Sequence, residues 1–132
     1  MQYLVAYLAA GVVFLGIDAL WLGRIAKDFY FRQLEGLIRQ SPDLWIAGLF
    51  YLGYVGGLVF LAVQPALQAQ SWKVALLYGA VVGFVAYGTY DMTNLSTLKG
   101  WPLAMSLVDL AWGTALTATA SVAGYLAART VA

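Results

Sequence analysis

Residues 90–113 read YDMTNLSTLKGWPLAMSLVDLAWG, and they are the only place where polar and ionisable side chains crowd together in an otherwise oily chain. The segment holds two acids, Asp91 and Asp109, with Thr93, Asn94 and Thr97 following the first and a Trp101-Pro102 break between them. On both sides the sequence is mostly Leu, Val, Ala, Gly and aromatic residues. Crossing a hydrocarbon core about 30 Å thick takes roughly 20 helical residues. Runs of that length flank the segment, at about residues 74–92 and 103–127. Two more precede them, at about residues 3–23, with Asp18 inside its C-terminal end, and at about residues 44–63, ended by Gln64-Pro65. No stretch is long enough for a fifth. The expected fold is therefore all-α, a four-transmembrane-helix bundle forming a single integral membrane domain over residues 1–132.

Composition agrees. The chain is 63% hydrophobic and 10% charged, with a mean hydropathy of +0.80, whereas soluble domains carry about 25% charged residues. A net charge of +1 lacks the concentrated basic patch that nucleic acid calls for. With no Cys and no His, disulfides, thiolate chemistry and the usual haem, zinc and iron–sulfur ligands are missing. Any metal would be a hard cation on oxygen ligands, with Asp91 and Asp109 the residues to hold it. The N-terminus has no basic n-region of a secretory signal and reads as a retained first span.

Between the first two spans, residues 24–43 interleave Phe29, Leu34, Leu37 and Ile38 with Arg24, Lys27, Arg32 and Arg39. That pattern suits a short amphipathic helix in the interface, basic residues toward lipid phosphates, or an ordinary charged loop. Ser41-Pro42-Asp43 then signals the start of the second span, with Pro in its first turn. Lys and Arg also set orientation. Arg24, Lys27, Arg32, Arg39 and Lys99 fall on one side, Lys73 and Arg129 on the other, so both termini are expected to face away from the cytoplasm. Whichever way the chain sits, span order puts Asp18, Asp91 and Asp109 at one depth, at one end of the bundle.

Residues four apart stack on one helix face. Gly79, Gly83, Tyr87 and Asp91 form one such row, with Asn94 three residues on; Asp109, Gly113, Thr117, Ser121 and Tyr125 form another. Small residues at this spacing let membrane helices approach closely, so spans three and four are expected to pack along these rows and direct both acids inward. For the glycines a packing seam alone is the plainer reading; for the acids it is the weaker one, because carboxylates are costly there. Asp18 and Trp21 share an Asp-x-x-Trp spacing with Asp109 and Trp112, which puts acid and indole on one face. Trp45 and Trp101 read as interfacial belt residues, while Trp112 lies deeper and is the better site residue.

Charged groups within a span cost about 2.5–3.5 kcal/mol on insertion scales and mark functional sites by default. Arg24 or Lys99, a proton, or a bound Mg²⁺ or Ca²⁺ could compensate them; a neutralised cluster that only locks the helices in register is the alternative. If the cluster binds something, Asp18, Trp21, Tyr87, Tyr90, Asp91, Asn94, Asp109 and Trp112 are the binding residues, with Thr93 and Thr97 beside them. The ligand is then a membrane lipid or another amphiphile, recognised and in one version modified by paired carboxylates. Neither a nucleotide-binding glycine loop nor the acid-rich signature of phosphatidyl-alcohol transferases is present. Two other readings stay open: an accessory or assembly subunit of a larger membrane complex, with Phe50, Tyr51, Tyr54, Phe60 and Phe84 facing lipid, a pigment or a partner, and a small transporter acting through self-association.

The run Tyr90-Asp91-x-Thr93-Asn94-Leu95-x-Thr97-Leu98-x-x-Trp101-Pro102, followed by Val108-Asp109-x-x-Trp112-Gly113, resembles the domain of unknown function 2177 family of bacterial inner-membrane proteins. Gly16-x-Asp18-x-x-Trp21-Leu22 and Phe50-Tyr51-x-x-Tyr54 fit the same pattern. The resemblance covers nearly the whole chain and implies a compact four-span protein of the bacterial inner membrane. It implies no activity, substrate or catalytic residue.

Overall fold

A computed structural model describes residues 1–39 and 41–131. Four helical rods, Gln2–Ile25, Leu44–Ala69, Trp72–Thr97 and Leu103–Val131, are each long and apolar enough to cross a membrane. Among the described residues there is no strand. The first rod is α1 (Gln2–Leu20) closed by a wide π-helical turn, Trp21–Ile25. A short helix, α2 (Lys27–Gln33), follows it. The second rod is α3 (Leu44–Leu58), a second π-helical turn at Val59–Val63, then α4 (Gln64–Ala69). The third and fourth are α5 (Trp72–Thr97) and α6 (Leu103–Ala128), the latter ending in a 3₁₀ turn.

Several boundaries differ from the sequence reading, and the third rod runs on to Thr97, past the end expected near residue 92. Pro65 does not end the second rod. A proline removes one backbone donor and its ring crowds the carbonyl a turn earlier; the π-helical turn just before it widens the spiral there, and the helix runs on to Ala69. Pro42 lies ahead of α3 rather than inside it. Asp43 is the cap, its Oδ1 accepting from the amides of Trp45 (3.1 Å) and Ile46 (3.2 Å), two of the donors that a helix start leaves free.

The fourth rod is the hub. Along α6, the buried row Asp109, Gly113, Thr117, Ser121 and Tyr125 faces inward, and α5 lies against it along the longest interface in the molecule. The glycines set how close the two come. A Cβ on Gly79 would stand 2.6 Å from Ser121 Oγ, one on Gly83 would strike the Gly113 carbonyl, and one on Gly113 would enter the Tyr87 ring. On its other side α6 receives Ala6, Ala10, Phe14 and Asp18 of α1, all buried at four-residue spacing. Small groups at i and i+4 again permit the approach.

The second rod is treated differently along its length. Its Val59–Ala69 part packs against α5 and α6, with Val59, Ala62, Val63 and Ala66 buried. Toward its start α3 leans away, touching mainly α1, and Ile46, Leu49 and Phe50 are each about two-thirds exposed. Rods two and three therefore meet at one end, where residues 70–71 join them through a left-handed Gln70 (φ 53°), and splay at the other.

That open end is where residues 24–39 fold back. Their helix is short, ending at Gln33 before a turn with Gly36 at φ 85°. It packs on the bundle: Ala26 and Tyr30 are buried in a small cluster with Met105 of α6. Trp101, expected in the interfacial belt, is half-buried beside this cluster, whereas Trp45 is 82% exposed.

Candidate functional site

The three intramembrane acids are buried at the same end of the bundle, Asp18 at 6%, Asp91 at 0% and Asp109 at 8% exposure. Each is met differently. Asp18, on α1, accepts a hydrogen bond from the Trp112 indole of α6 at 3.0 Å, and the Tyr51 phenol of α3 faces the same carboxyl. Asp109, on α6, accepts from the Tyr30 hydroxyl at 2.9 Å, and Tyr30 in turn accepts from the Trp21 indole of the first rod at 3.1 Å. The Asp-x-x-Trp echo is therefore wired crosswise: each acid draws on the indole of the opposite helix, Trp112 directly and Trp21 through Tyr30. The two indoles stack flat, centroids 4.2 Å apart and planes 9° from parallel.

Asp91 is the exception. It faces Asp109, yet neither of its oxygens has a hydrogen-bond partner. Its backbone carbonyl is held by Ser106 Oγ (2.8 Å), which also accepts from the Trp101 indole (2.9 Å), so the residue is fixed in place. No N–H or O–H of the described residues donates to its carboxyl, whose one close polar neighbour is the Asp109 carboxyl, a pair that a shared proton would join by a hydrogen bond. The Arg24 or Lys99 compensation expected for these acids is replaced by neutral donors for Asp18 and Asp109. Both basic side chains lie exposed at the surface, where a long charged chain keeps its hydration. A buried unpaired charge costs far more than a buried neutral polar group. The Asp91–Asp109 pair accordingly needs a positive charge brought in from outside, as a proton or as part of a ligand.

Beside this pair the splay between α3 and α5 opens a cavity of about 460 Å³, within the range of small-molecule sites. Asp109 and Tyr30 form its polar floor, Met105 and Leu34 sit beside them, and Phe50, Tyr51, Tyr54, Tyr87 and Tyr90 supply aromatic walls. Ile46 and Ala47 of α3 and Ala86 of α5 complete the sides. The wall is internally braced: Tyr54 donates to or accepts from Thr117 Oγ1 at 2.8 Å, meets Tyr87 edge-on with centroids 6.3 Å apart, and packs on Phe14 at 5.2 Å. Gly113 gives Tyr87 its seat on α6.

Of the residues expected at a site, Asp109, Tyr87 and Tyr90 line the cavity and Asp91 lies behind Asp109. Asp18, Trp21 and Trp112 form the bracing layer next to it. Asn94 is not among the lining residues; its carbonyl accepts the Leu98 amide at the end of α5. Thr97 bonds the Thr93 carbonyl of its own helix, and both threonines point away, exposed. Two tyrosines of α3 that the sequence assigns to lipid, a pigment or a partner, Tyr51 and Tyr54, line the cavity instead. Tyr30 was missed altogether. Its only signal was a phenol at the centre of an amphipathic stretch, a side chain whose O–H seeks a partner when buried. Burial, with the negative charge of Asp109 beside it, pushes the Tyr30 phenol well above its usual range, so it stays a donor. For a hard cation, Asp91 and Asp109 offer two carboxyls, and no group of three or more His, Cys, Asp or Glu side chains is gathered among the described residues.

Removing the Tyr30 hydroxyl should loosen this end. Tyr30→Phe leaves Asp109 without its donor and Trp21 without its acceptor, and hydrogen bonds to charged groups contribute about 1.5–3 kcal/mol. A drop of about that size is expected in a sodium dodecyl sulfate unfolding titration from mixed micelles. No change would mean that water already serves Asp109.

Residues 3–126 match the model of a family described as Predicted membrane protein (DUF2177). No curated protein and no solved structure matches the chain.

Proposed function

The chain belongs to the DUF2177 family of membrane proteins, and from that footing we propose that it binds an amphiphile in the cleft between α3 and α5, tail in the bilayer and polar head at Asp109. The observation that carries this reading is the splay itself. Membrane helices that serve only as scaffold close upon one another along their small-residue faces, as α5 and α6 do here. The second rod instead closes at Val59–Ala69 and parts where the carboxyls lie. The gap is apolar and aromatic along its sides and polar only at its floor, the distribution a lipid-like molecule presents in reverse. A ligand could enter sideways from the bilayer, because the α3 wall is itself largely exposed at Ile46 and Phe50.

Filling the cleft tests this without touching an acid. Ala47→Trp puts an indole into the space from a partly exposed position on α3. Native mass spectrometry from a mild non-ionic detergent should find a small amphiphile on the wild type and none on Ala47→Trp, with the variant as heat-stable as the parent. A wild type that is bare, or that carries another polypeptide in fixed ratio whether or not the cleft is filled, would count against an amphiphile site and for an assembly role.

A further inference from the structure

The cleft also says something about the charge of its occupant. Its floor is an acid, and none of its lining residues is Lys or Arg. A phosphate, sulfate or carboxylate head would enter beside Asp109, with Asp91 bare just behind it, and would meet no positive group. A cation meets the reverse. The carboxyl of Asp91 is wholly buried, has no donor on either oxygen and faces Asp109, so a cationic head at Asp109 would supply the positive charge that the pair otherwise takes up as a proton. The walls point the same way. The quadrupole of an aromatic ring places negative charge on its face and attracts an ammonium within about 6 Å of the centroid. Tyr51, Tyr54, Tyr87, Tyr90 and Phe50 surround the floor that Asp109 shares with Tyr30, and cages of aromatic rings are how proteins enclose alkylated ammonium groups. A bare metal ion suits the site less well, because it would demand six or more oxygen ligands where the lining is mainly aromatic and aliphatic, with one carboxyl.

Building on the amphiphile reading above, we propose that the ligand is cationic: an ammonium on an apolar tail, its head held between Asp109 and the tyrosine faces, its tail leaving between α3 and α5. Such a head occurs on an amine-bearing membrane lipid and on a non-lipid cationic amphiphile, and the chemistry of recognition is the same for both.

Four probes with one tail and different heads separate the possibilities. Dodecyltrimethylammonium, dodecylphosphocholine, dodecyl phosphate and dodecanol are titrated onto the full chain in dodecyl maltoside micelles, and occupancy is read by native mass spectrometry and by tryptophan fluorescence. The expected order has the trimethylammonium probe tightest and dodecyl phosphate weakest. Asp109→Asn should weaken the ammonium probe by about tenfold or more while leaving dodecanol unchanged. Phe50→Leu, at a wall position 66% exposed and so safe for folding, should weaken the ammonium probe several-fold and spare dodecanol. Phosphate binding as tightly as ammonium, or an ammonium affinity indifferent to both variants, would overturn the cationic assignment and leave the cleft reading standing. Failure of all four probes, dodecanol included, would remove the cleft reading as well. Competition by phosphatidylethanolamine but not phosphatidylglycerol in nanodiscs would place the ammonium on a membrane lipid; absence of competition, with the probe still bound, would place it on a non-lipid amphiphile.

Discussion

Gly83→Ala is expected to lower stability by about 3 kcal/mol, the upper end of what overpacking a well-filled interior costs. The added methyl would run into the Gly113 carbonyl, the Thr114 Cα and the Thr117 Cβ, the last two at 2.9 Å. Two of those three are backbone atoms of α6, and backbone cannot rotate aside as a flexible side chain does. The interface would have to open along its length, carrying Tyr87 and Asp91 away from Asp109. The control is Gly57→Ala on the second rod, where nothing lies within 4 Å of the new carbon; there the better helix propensity of alanine should leave stability unchanged or raise it by up to about 1 kcal/mol. Unfolding titrations of the two variants in mixed micelles check the contrast. Equal effects would show that rods three and four do not owe their spacing to Gly83.

Asp91→Asn is expected to do the opposite, raising the stability of the ligand-free protein at neutral pH by about 1–3 kcal/mol. A carboxyl that is fully buried, receives no N–H or O–H donor from the described residues and can bond its neighbouring acid only by taking up a proton is a standing cost to the fold. An amide of the same shape carries no charge, and its NH₂ can donate to Asp109. The gain should come with a loss: the same variant should no longer retain the amphiphile, as sites that bind often do so at the expense of stability. The decisive comparison is the melting temperature of wild type and variant after exhaustive delipidation, followed by native mass spectrometry of both before it. A variant less stable than the parent would mean that Asp91 is a satisfied structural group and that the cluster serves the fold alone. Retention unchanged in a stabilised variant would leave the energetic argument intact and take Asp91 out of the site.

Both expectations depend on features with very different visibility in the one-dimensional chain. The glycine row could be read directly. Helical periodicity is local, so residues four apart share a face whatever the rest of the molecule does, and Gly79, Gly83, Asp109 and Gly113 declared their interface from spacing alone. The bareness of Asp91 could not be read, because it depends on what every other segment fails to offer it.

The same division holds across the protein. The number of spans, their approximate limits and the gathering of Asp18, Asp91 and Asp109 at one end follow from bilayer thickness and span order, quantities written along the chain. The partners of those acids do not. Tyr30 and Asp109 are 79 residues apart, Asp18 and Trp112 are 94 apart, and no local pattern specifies which indole will turn to which acid. Asp18 and Trp21 looked like a pair because they share a helix face, but only packing of the first rod on the fourth could reveal the crossed arrangement. The cleft is the most tertiary feature of all. Within the second rod nothing marks where it will close and where it will splay; its sequence is apolar on nearly every side, because lipid and a neighbouring helix ask for the same side chains. Hydropathy therefore decided that this chain crosses a membrane four times, and only the three-dimensional packing decided where the bundle stays open.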